Sequence, residues 1–213
     1  MPASSHVVLL GDSIFDNGSY TQGEPDVVAH LRAALPSGWK ATLLAVDGST
    51  TSNVAHQVGR IPGDASCLVV SVGGNDVLGH FDILDRPIAS TRDALLLLGR
   101  RAADFEADYR AALLKVLETG KPTTVCTIYN GNLPENEAAA ARVALMPFND
   151  AILRVAFGFG LPVIDLRMIC SEPADYANPI EPSGPGGRKI ARAIVASLGL
   201  APGDVRQASV FSG

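Results

Sequence analysis

The chain has 213 residues, 47% of them apolar, and its 22 acidic and 17 basic side chains give a formal net charge of −5. This length and apolar content suit one globular domain with a substantial core. The charges are scattered and form no basic stripe, which argues against nucleic acid as a partner. The first apolar run, residues 7–10, is too short for a signal peptide or a membrane span, so we expect a cytoplasmic protein that does not enter membranes.

Five short apolar runs along the chain predict β-strands. They are nearly continuous rather than alternating, which is typical of strands that are covered on both faces. Amphipathic stretches between them predict helices. The predicted strands are 7–10, 42–46, 68–72, 123–128 and 162–164, and the predicted helices are 26–35, 52–59, 100–117, 137–157 and 187–198. This β-α alternation predicts a mostly parallel sheet with helices on both sides.

The domain organisation follows from the same pattern. Residues 1–200 form one predicted domain, and residues 201–213, which are small and polar, form a predicted loose tail. Residues 79–99 fit none of the periodic elements, and we expect an insertion or short helix over the functional site. Cys67, Cys126 and Cys170 are odd in number and widely spaced, which predicts buried, reduced thiols. Neither Cys-x-x-Cys nor His-x-x-x-His occurs, and we expect no metal site.

Polar loops follow each of the first three predicted strands. Ser13 lies in the first loop, Gly48 in the second and Asn75 in the third. Each loop taken alone can be an ordinary turn. Because the carboxyl ends of parallel strands meet at one edge of a sheet, we expect the three loops to converge. A hydroxyl, a glycine N–H and a side-chain amide are the parts of a nucleophile and an oxyanion hole.

In order and spacing, the three loops resemble the first sequence blocks of the GDSL/SGNH hydrolases, which are serine esterases and lipases. The blocks are Gly-Asp-Ser, a glycine, and Gly-Gly-Asn-Asp, and the resemblance spans residues 6–198. It implies a flavodoxin-like three-layer α/β/α sandwich of about five strands that hydrolyses a small-molecule ester without a cofactor. Ser13 is then the nucleophile, and its own N–H, the N–H of Gly48 and the amide of Asn75 bind the oxyanion.

The fourth block departs from the family pattern. Where the family has Asp-x-x-His, this chain has Asn178 and Glu181, and no histidine follows His80. A free glutamate is a weaker base than histidine by about 2 pK units, or about 3 kcal/mol. Burial beside the neighbouring prolines can raise the pKa of Glu181 and reduce this penalty. Asn178 adds no like charge beside it, so we expect Glu181 to replace the histidine.

Other polar residues have alternative interpretations. His80 is an alternative base, although a lone loop histidine is more often structural. Asp12 either ties the Ser13 loop and caps a helix or supports the substrate. Asp165 and Arg167 suit an ion pair better than a substrate-carboxylate site, and the pair Arg100 and Arg101 suits a solvated helix face.

Two broader alternatives concern function. The chain can be a non-catalytic member of the fold that binds an acyl or sugar ligand, because the family histidine is missing. Metallophosphoesterases also have glycine-rich polar loops after strands, but they need an Asp-x-His start, and His6, the only histidine before Gly11, has no aspartate two residues ahead of it. If the chain is an esterase, we expect a short acyl group; the sequence does not predict an oligomeric state.

Overall fold

The computed structural model describes residues 5–201, 208 and 210. Its centre is a parallel five-stranded sheet in the order β2-β1-β3-β4-β5, and this order is the flavodoxin-like one. The strands are β1 (Ser5–Gly11), β2 (Trp39–Leu43), β3 (Cys67–Ser71), β4 (Thr123–Cys126) and β5 (Val163–Ile164). The predicted fold class is therefore confirmed.

The helices are the crossovers between the strands and the layers that cover them. They are α1 (Val27–Ala34), α2 (Val54–Val58), α3 (Gly74–Leu78), α4 (Thr91–Leu117), α5 (Glu135–Gly158), α6 (Leu166–Ile169) and α7 (Gly184–Ser197). Short 3-10 helices are Thr51–Asn53, Phe81–Leu84 and Pro173–Asp175.

The core lies on both faces of the sheet, as β1 illustrates. Val7 and Leu9 face the apolar residues of α1 and α7, whereas Val8 and Leu10 face those of α2, α4 and α5. Alternate side chains of a strand point to opposite faces, so both sets are buried only when helices cover both faces. This double burial explains why the strand sequences are continuously apolar.

Several predicted boundaries were wrong, and three elements show the reasons. Strand β2 begins earlier than predicted and ends at Leu43, because the N–H groups of Leu44 and Ala45 both bond to the carbonyl of Leu9 and the regular ladder stops there. Strand β4 ends at Cys126 instead of continuing through Ile128, since the backbone of Ile128 pairs with the side chain of Asn149. Helix α4 begins at Thr91 instead of residue 100, because the Ser90 hydroxyl caps it by accepting from the Asp93 N–H.

Segment 79–99, predicted as an insertion or short helix, contains a 3-10 helix and the first third of α4. Most of the predicted tail, at 202–207, 209 and 211–213, lies outside the described residues. The three cysteines are free and buried, as predicted. Among the described residues, no helix is long and apolar enough to cross a membrane, and no group of three or more candidate ligands could hold a metal ion.

Candidate active site

The candidate site lies at the carboxyl ends of β1 and β3. These neighbouring strands lead to connections that run in opposite directions, which leaves a crevice between their loops. Ser13 follows β1, and Asn75 follows β3 at the start of α3. Gly11 ends β1 with a φ of 127°, and a Cβ there would overlap the carbonyl oxygen of Ser71. Glycine thus allows the two strands to approach closely just before the Ser13 loop.

Glu181 is 168 residues from Ser13 in the chain but contacts it directly. The Ser13 hydroxyl donates to Oε1 of Glu181 at 3.1 Å, and both side chains are buried. The loop that carries Glu181 precedes α7, which packs on α1. Ser13 and Glu181 therefore have the hydrogen-bonded geometry of a nucleophile and its base.

The environment of Glu181 makes its carboxylate more basic. The residue is 6% exposed, and its second carboxylate oxygen, Oε2, has no hydrogen-bond partner among the described residues. Burial raises the pKa of Glu181 from 4.5 to about 7; the Ser13 hydroxyl opposes this shift, and the negative charge of Asp47 adds to it. A carboxylate with such a pKa can accept a proton near neutral pH about as readily as a histidine.

The loop that carries Glu181, residues 176–182, is called the base loop below. Its turn is made by Asn178, whose Oδ1 accepts from the N–H groups of Ile180 and Glu181, both at 2.9 Å. The hydroxyl of Tyr129 donates to the carbonyl of Ile180, and the N–H of Asn132 donates to the carbonyl of Pro179. Asn178 thus shapes the backbone that orients Glu181, while the Glu181 carboxylate itself bonds to Ser13.

The oxyanion donors expected from the sequence lie on loops that contact one another. Asn75 donates one amide hydrogen to the carbonyl of Ser49 at 2.9 Å, which leaves its second amide hydrogen for a ligand. Gly48 precedes Ser49 and has a φ of 76°, which glycine adopts without strain. Within the described part of the chain, the N–H groups of Ser13 and Gly48 donate no hydrogen bond. Gly48 itself is exposed and lies outside the cavity lining.

Sequence reasoning missed the residues that join these loops. The buried amide of Gln57 bonds both to the N–H and to the carbonyl of Gly11, and it also donates to Oγ of Ser49. The Asp76 carboxylate accepts from the N–H and the hydroxyl of Thr51. A buried polar side chain must satisfy its hydrogen bonds, so these groups fix the loops relative to one another. A glutamine on the buried face of a predicted helix was the available signal for Gln57.

Asp12 lies beside the nucleophile and is 2% exposed. Its Oδ1 accepts from the N–H of Ile14, which ties the Ser13 loop, as one of the two sequence interpretations expected. Burial raises the pKa of Asp12 from 3.8 to about 7; the Ile14 N–H opposes this shift, and the charges of Glu181 and Asp76 add to it. Two buried acids therefore compete for ionisation at the site.

A cavity of about 180 Å³ opens beside Ser13, and Asp12, Asn75 and Glu181 also line it. Most of its remaining surface is apolar. These apolar side chains come mainly from the segments after β3 and β4, from α4, and from the middle of α5. This wall includes Val77, Ile83, Leu84, Leu98, Leu145 and Phe148. We call this space the site cavity.

The structure also places the other candidate residues. His80, the alternative base, lines the site cavity and stacks on Phe148. The Ser13 hydroxyl donates to Glu181 instead. Asp165 and Arg167 form the expected ion pair, at 2.6 Å. The prediction for Arg101 was wrong, because its side chain is half-buried and lines the cavity instead of lying on a solvated face.

A match to a family model shows the protein family to which this chain belongs. The model of the GDSL-like lipase/acylhydrolase family matches residues 9–186, which include the loops of Ser13, Gly48, Asn75 and Glu181. The chain belongs to this family. It is therefore a hydrolase that acts on ester bonds. Among curated proteins, none matches this chain in sequence.

Several solved structures have the same fold as this GDSL family member. An extracellular lipase from Streptomyces rimosus is 18% identical, with a TM-score of 0.67 over 93% of this chain and 100% of the lipase. A phospholipase A1 from Streptomyces albidoflavus is 17% identical, with a TM-score of 0.68 over 92% and 99%. An acetyl xylan esterase from Geobacillus stearothermophilus is 20% identical, with a TM-score of 0.66 over 97% and 100%.

Proposed function

We propose that this GDSL hydrolase cleaves carboxylic esters through an acyl-enzyme on Ser13, with Glu181 as the base. The observation that carries the proposal is the hydrogen bond from the Ser13 hydroxyl to the buried carboxylate of Glu181, at 3.1 Å. The lipase, phospholipase A1 and acetyl xylan esterase with similar structures are named for the hydrolysis of esters, which supports the reaction class.

Acylation begins when ionised Glu181 takes the hydroxyl proton of Ser13 and Oγ attacks the carbonyl carbon of the ester. The carbonyl oxygen becomes an oxyanion, and the N–H groups of Ser13 and Gly48 and the free amide hydrogen of Asn75 are the donors that bind it. Glu181 then gives its proton to the ester oxygen, the bond to that oxygen breaks, and the alcohol leaves. The acyl group stays on Oγ of Ser13.

Deacylation repeats these proton transfers with water. Glu181 takes a proton from the water, the water oxygen attacks the acyl carbon, and the same donors bind the second oxyanion. The proton returns from Glu181 to Oγ as the carboxylic acid is released. A base with a pKa of about 7 suits both directions of transfer at neutral pH, because it both accepts and returns a proton readily.

This mechanism fixes the direction of the pH dependence. Only the ionised form of Glu181 can accept the serine proton. With its pKa raised to about 7, activity falls as the pH drops below about 7, by about tenfold per pH unit. An esterase whose base were an unperturbed glutamate would keep its full activity down to about pH 5.

The test measures p-nitrophenyl ester hydrolysis against pH for the wild type, Ser13→Ala, Glu181→Gln and Glu181→His. We expect Ser13→Ala to abolish turnover and Glu181→Gln to lower it by about 10²–10⁴-fold, since the base is removed. Glu181→His restores a base of the type usual in the family and keeps activity. Glu137→Gln, an exposed change on α5, is the matched control and leaves the rate unchanged.

Two outcomes contradict the proposal. If Glu181→Gln keeps the wild-type rate and pH profile, another group is the base, and His80 is then the first to replace. If the wild type is inert and a fluorophosphonate probe fails to label Ser13, the chain is a binding member of the fold. A cytoplasmic location stays a prediction from the sequence.

A further inference from the structure

The apolar part of the site cavity has no role in the proton transfers proposed above. Ser13, Asn75 and Glu181 line the cavity, and the proposed chemistry needs only these polar groups of its lining. Beyond them, the cavity continues between Leu98 of α4 and Ala144, Leu145 and Phe148 of α5. An apolar surface of this kind, next to a few convergent polar groups, is typical of a binding site for the hydrocarbon part of a ligand.

We propose that this cavity holds the acyl chain of the ester and that the preferred chain has about six to ten carbons. The inference rests on the proposed function. A dry cavity of about 150 Å³ binds benzene, so the cavity of about 180 Å³ here has room for more than an acetyl group. Each buried methylene raises the rate with dilute substrate by up to about fourfold. This preference replaces the short acyl group expected from the sequence.

The geometry favours the acyl side of the ester over the alcohol side. The alcohol must leave beside Glu181, which returns its proton, and the adjoining Pro179 and Ile180 of the base loop are exposed to solvent. Phe148, which also lines the cavity, is buried in the core between α4 and α5. A leaving alcohol therefore has a short route to water, while a chain lying against Phe148 stays enclosed with the serine.

Ala144 is the position that can limit chain length. It is half-buried on α5 and lines the cavity, and its small side chain leaves the space beside it free. A larger residue there occupies volume that a long chain needs and an acetyl group does not. Ala139 lies on the same helix but is exposed and outside the lining, so an identical change there is a matched control.

The first test compares kcat/KM for p-nitrophenyl acetate, butyrate, octanoate and palmitate. We expect the octanoate to exceed the acetate by at least about tenfold and the palmitate to fall again, because the cavity is then full. In Ala144→Phe, octanoate hydrolysis falls by about tenfold or more while acetate hydrolysis stays within about twofold. Ala144→Val gives a smaller effect of the same sign if the phenylalanine variant is unstable, and Ala139→Phe behaves as the wild type.

The second test uses ethyl octanoate and octyl acetate, two isomers that differ only in the side of the ester that carries the long chain. Faster hydrolysis of ethyl octanoate supports the proposal. Faster hydrolysis of octyl acetate overturns it. A kcat/KM that is highest for p-nitrophenyl acetate and does not change in Ala144→Phe also overturns it. In those two cases Ser13-dependent hydrolysis continues and the proposed function stands. Absence of hydrolysis along the whole series, with Ser13 unlabelled by a fluorophosphonate, overturns both.

Discussion

The two sides of the active site differ in how completely their functional side chains are paired. The loops after β1, β2 and β3 are joined by side chains such as Gln57 and Asp76, whose polar groups bond to backbone on neighbouring loops. Side chains hold the base loop as well, because Asn178 makes its turn and the side chains of Tyr129 and Asn17 donate to the carbonyls of Ile180 and Pro182. Its functional carboxylate, Glu181, keeps one buried oxygen without a partner among the described residues.

This difference identifies Glu181 as the group whose reactivity comes with a loss of folding stability. On the nucleophile side, the side chains of Gln57 and Asp76 are paired with neighbouring loops, which fixes the donors before substrate arrives. On the base side, an incompletely paired carboxylate is buried, which costs free energy whenever it is ionised. The same cost raises the pKa of Glu181 to about 7 and so makes it a competent base. Each prediction below changes one side and measures whether activity or stability responds.

The largest effect expected on the nucleophile side follows Asn75→Ala. We expect kcat to fall by about 10²–10³-fold with a smaller change in KM, because the lost amide hydrogen acts on the oxyanion rather than on the bound ester. Steady-state kinetics with p-nitrophenyl butyrate measure both constants. Asn136→Ala, on the exposed face of α5, is the matched control. An unchanged kcat for Asn75→Ala would remove Asn75 from the oxyanion site.

On the base side, Glu181→Gln should raise stability while it lowers activity. The folded-state pKa of about 7 lies above the ordinary value of 4.5, so the folded protein loses stability as the pH rises between these values. Glutamine removes this loss, and the free energy of unfolding at about pH 8 should rise by up to about 3 kcal/mol. At about pH 4, where the glutamate is protonated in both states, the difference should largely vanish.

Urea denaturation of the wild type and Glu181→Gln at both pH values measures this effect. Glu137→Gln is again the exposed control, and its stability should match the wild type at either pH. A Glu181→Gln variant that is less stable than the wild type at about pH 8 would show that the ionised carboxylate is well paired in the folded protein. Burial would then not be the cause of the raised pKa of Glu181.

The smallest effect is expected for Asn178→Asp. An aspartate keeps the oxygen that accepts from the N–H groups of Ile180 and Glu181, but it adds a negative charge near the base. The pKa of Glu181 should rise, so the acid limb of the activity profile should move up by roughly half to one pH unit. Asn178→Ala, which removes the turn without adding charge, should lower activity without moving the profile. An unmoved profile in Asn178→Asp contradicts the expected coupling.

The sequence alone predicted much of this molecule, because its signals are local. Continuous apolar runs gave the five strands, and the loops after the first three identified Ser13, Gly48 and Asn75 as neighbours at one edge. The departure at Asn178 and Glu181 was also readable, since it depends only on which residues occupy the fourth block. Fold class and candidate residues follow from such patterns because strand direction decides where loops meet.

Tertiary structure alone decided the contacts between distant residues. The pairing of Glu181 with Ser13, and the burial of an Oε2 that has no partner in the described part of the chain, depend on how α7 and the base loop pack, and this burial raises the pKa to about 7. The site cavity arises where α4 and α5 lie beside the segment after β3, which is why Arg101 was misplaced by its sequence context. Periodicity tells which face of a helix is buried, but the shape of the space between two helices depends on side chains that only packing brings together.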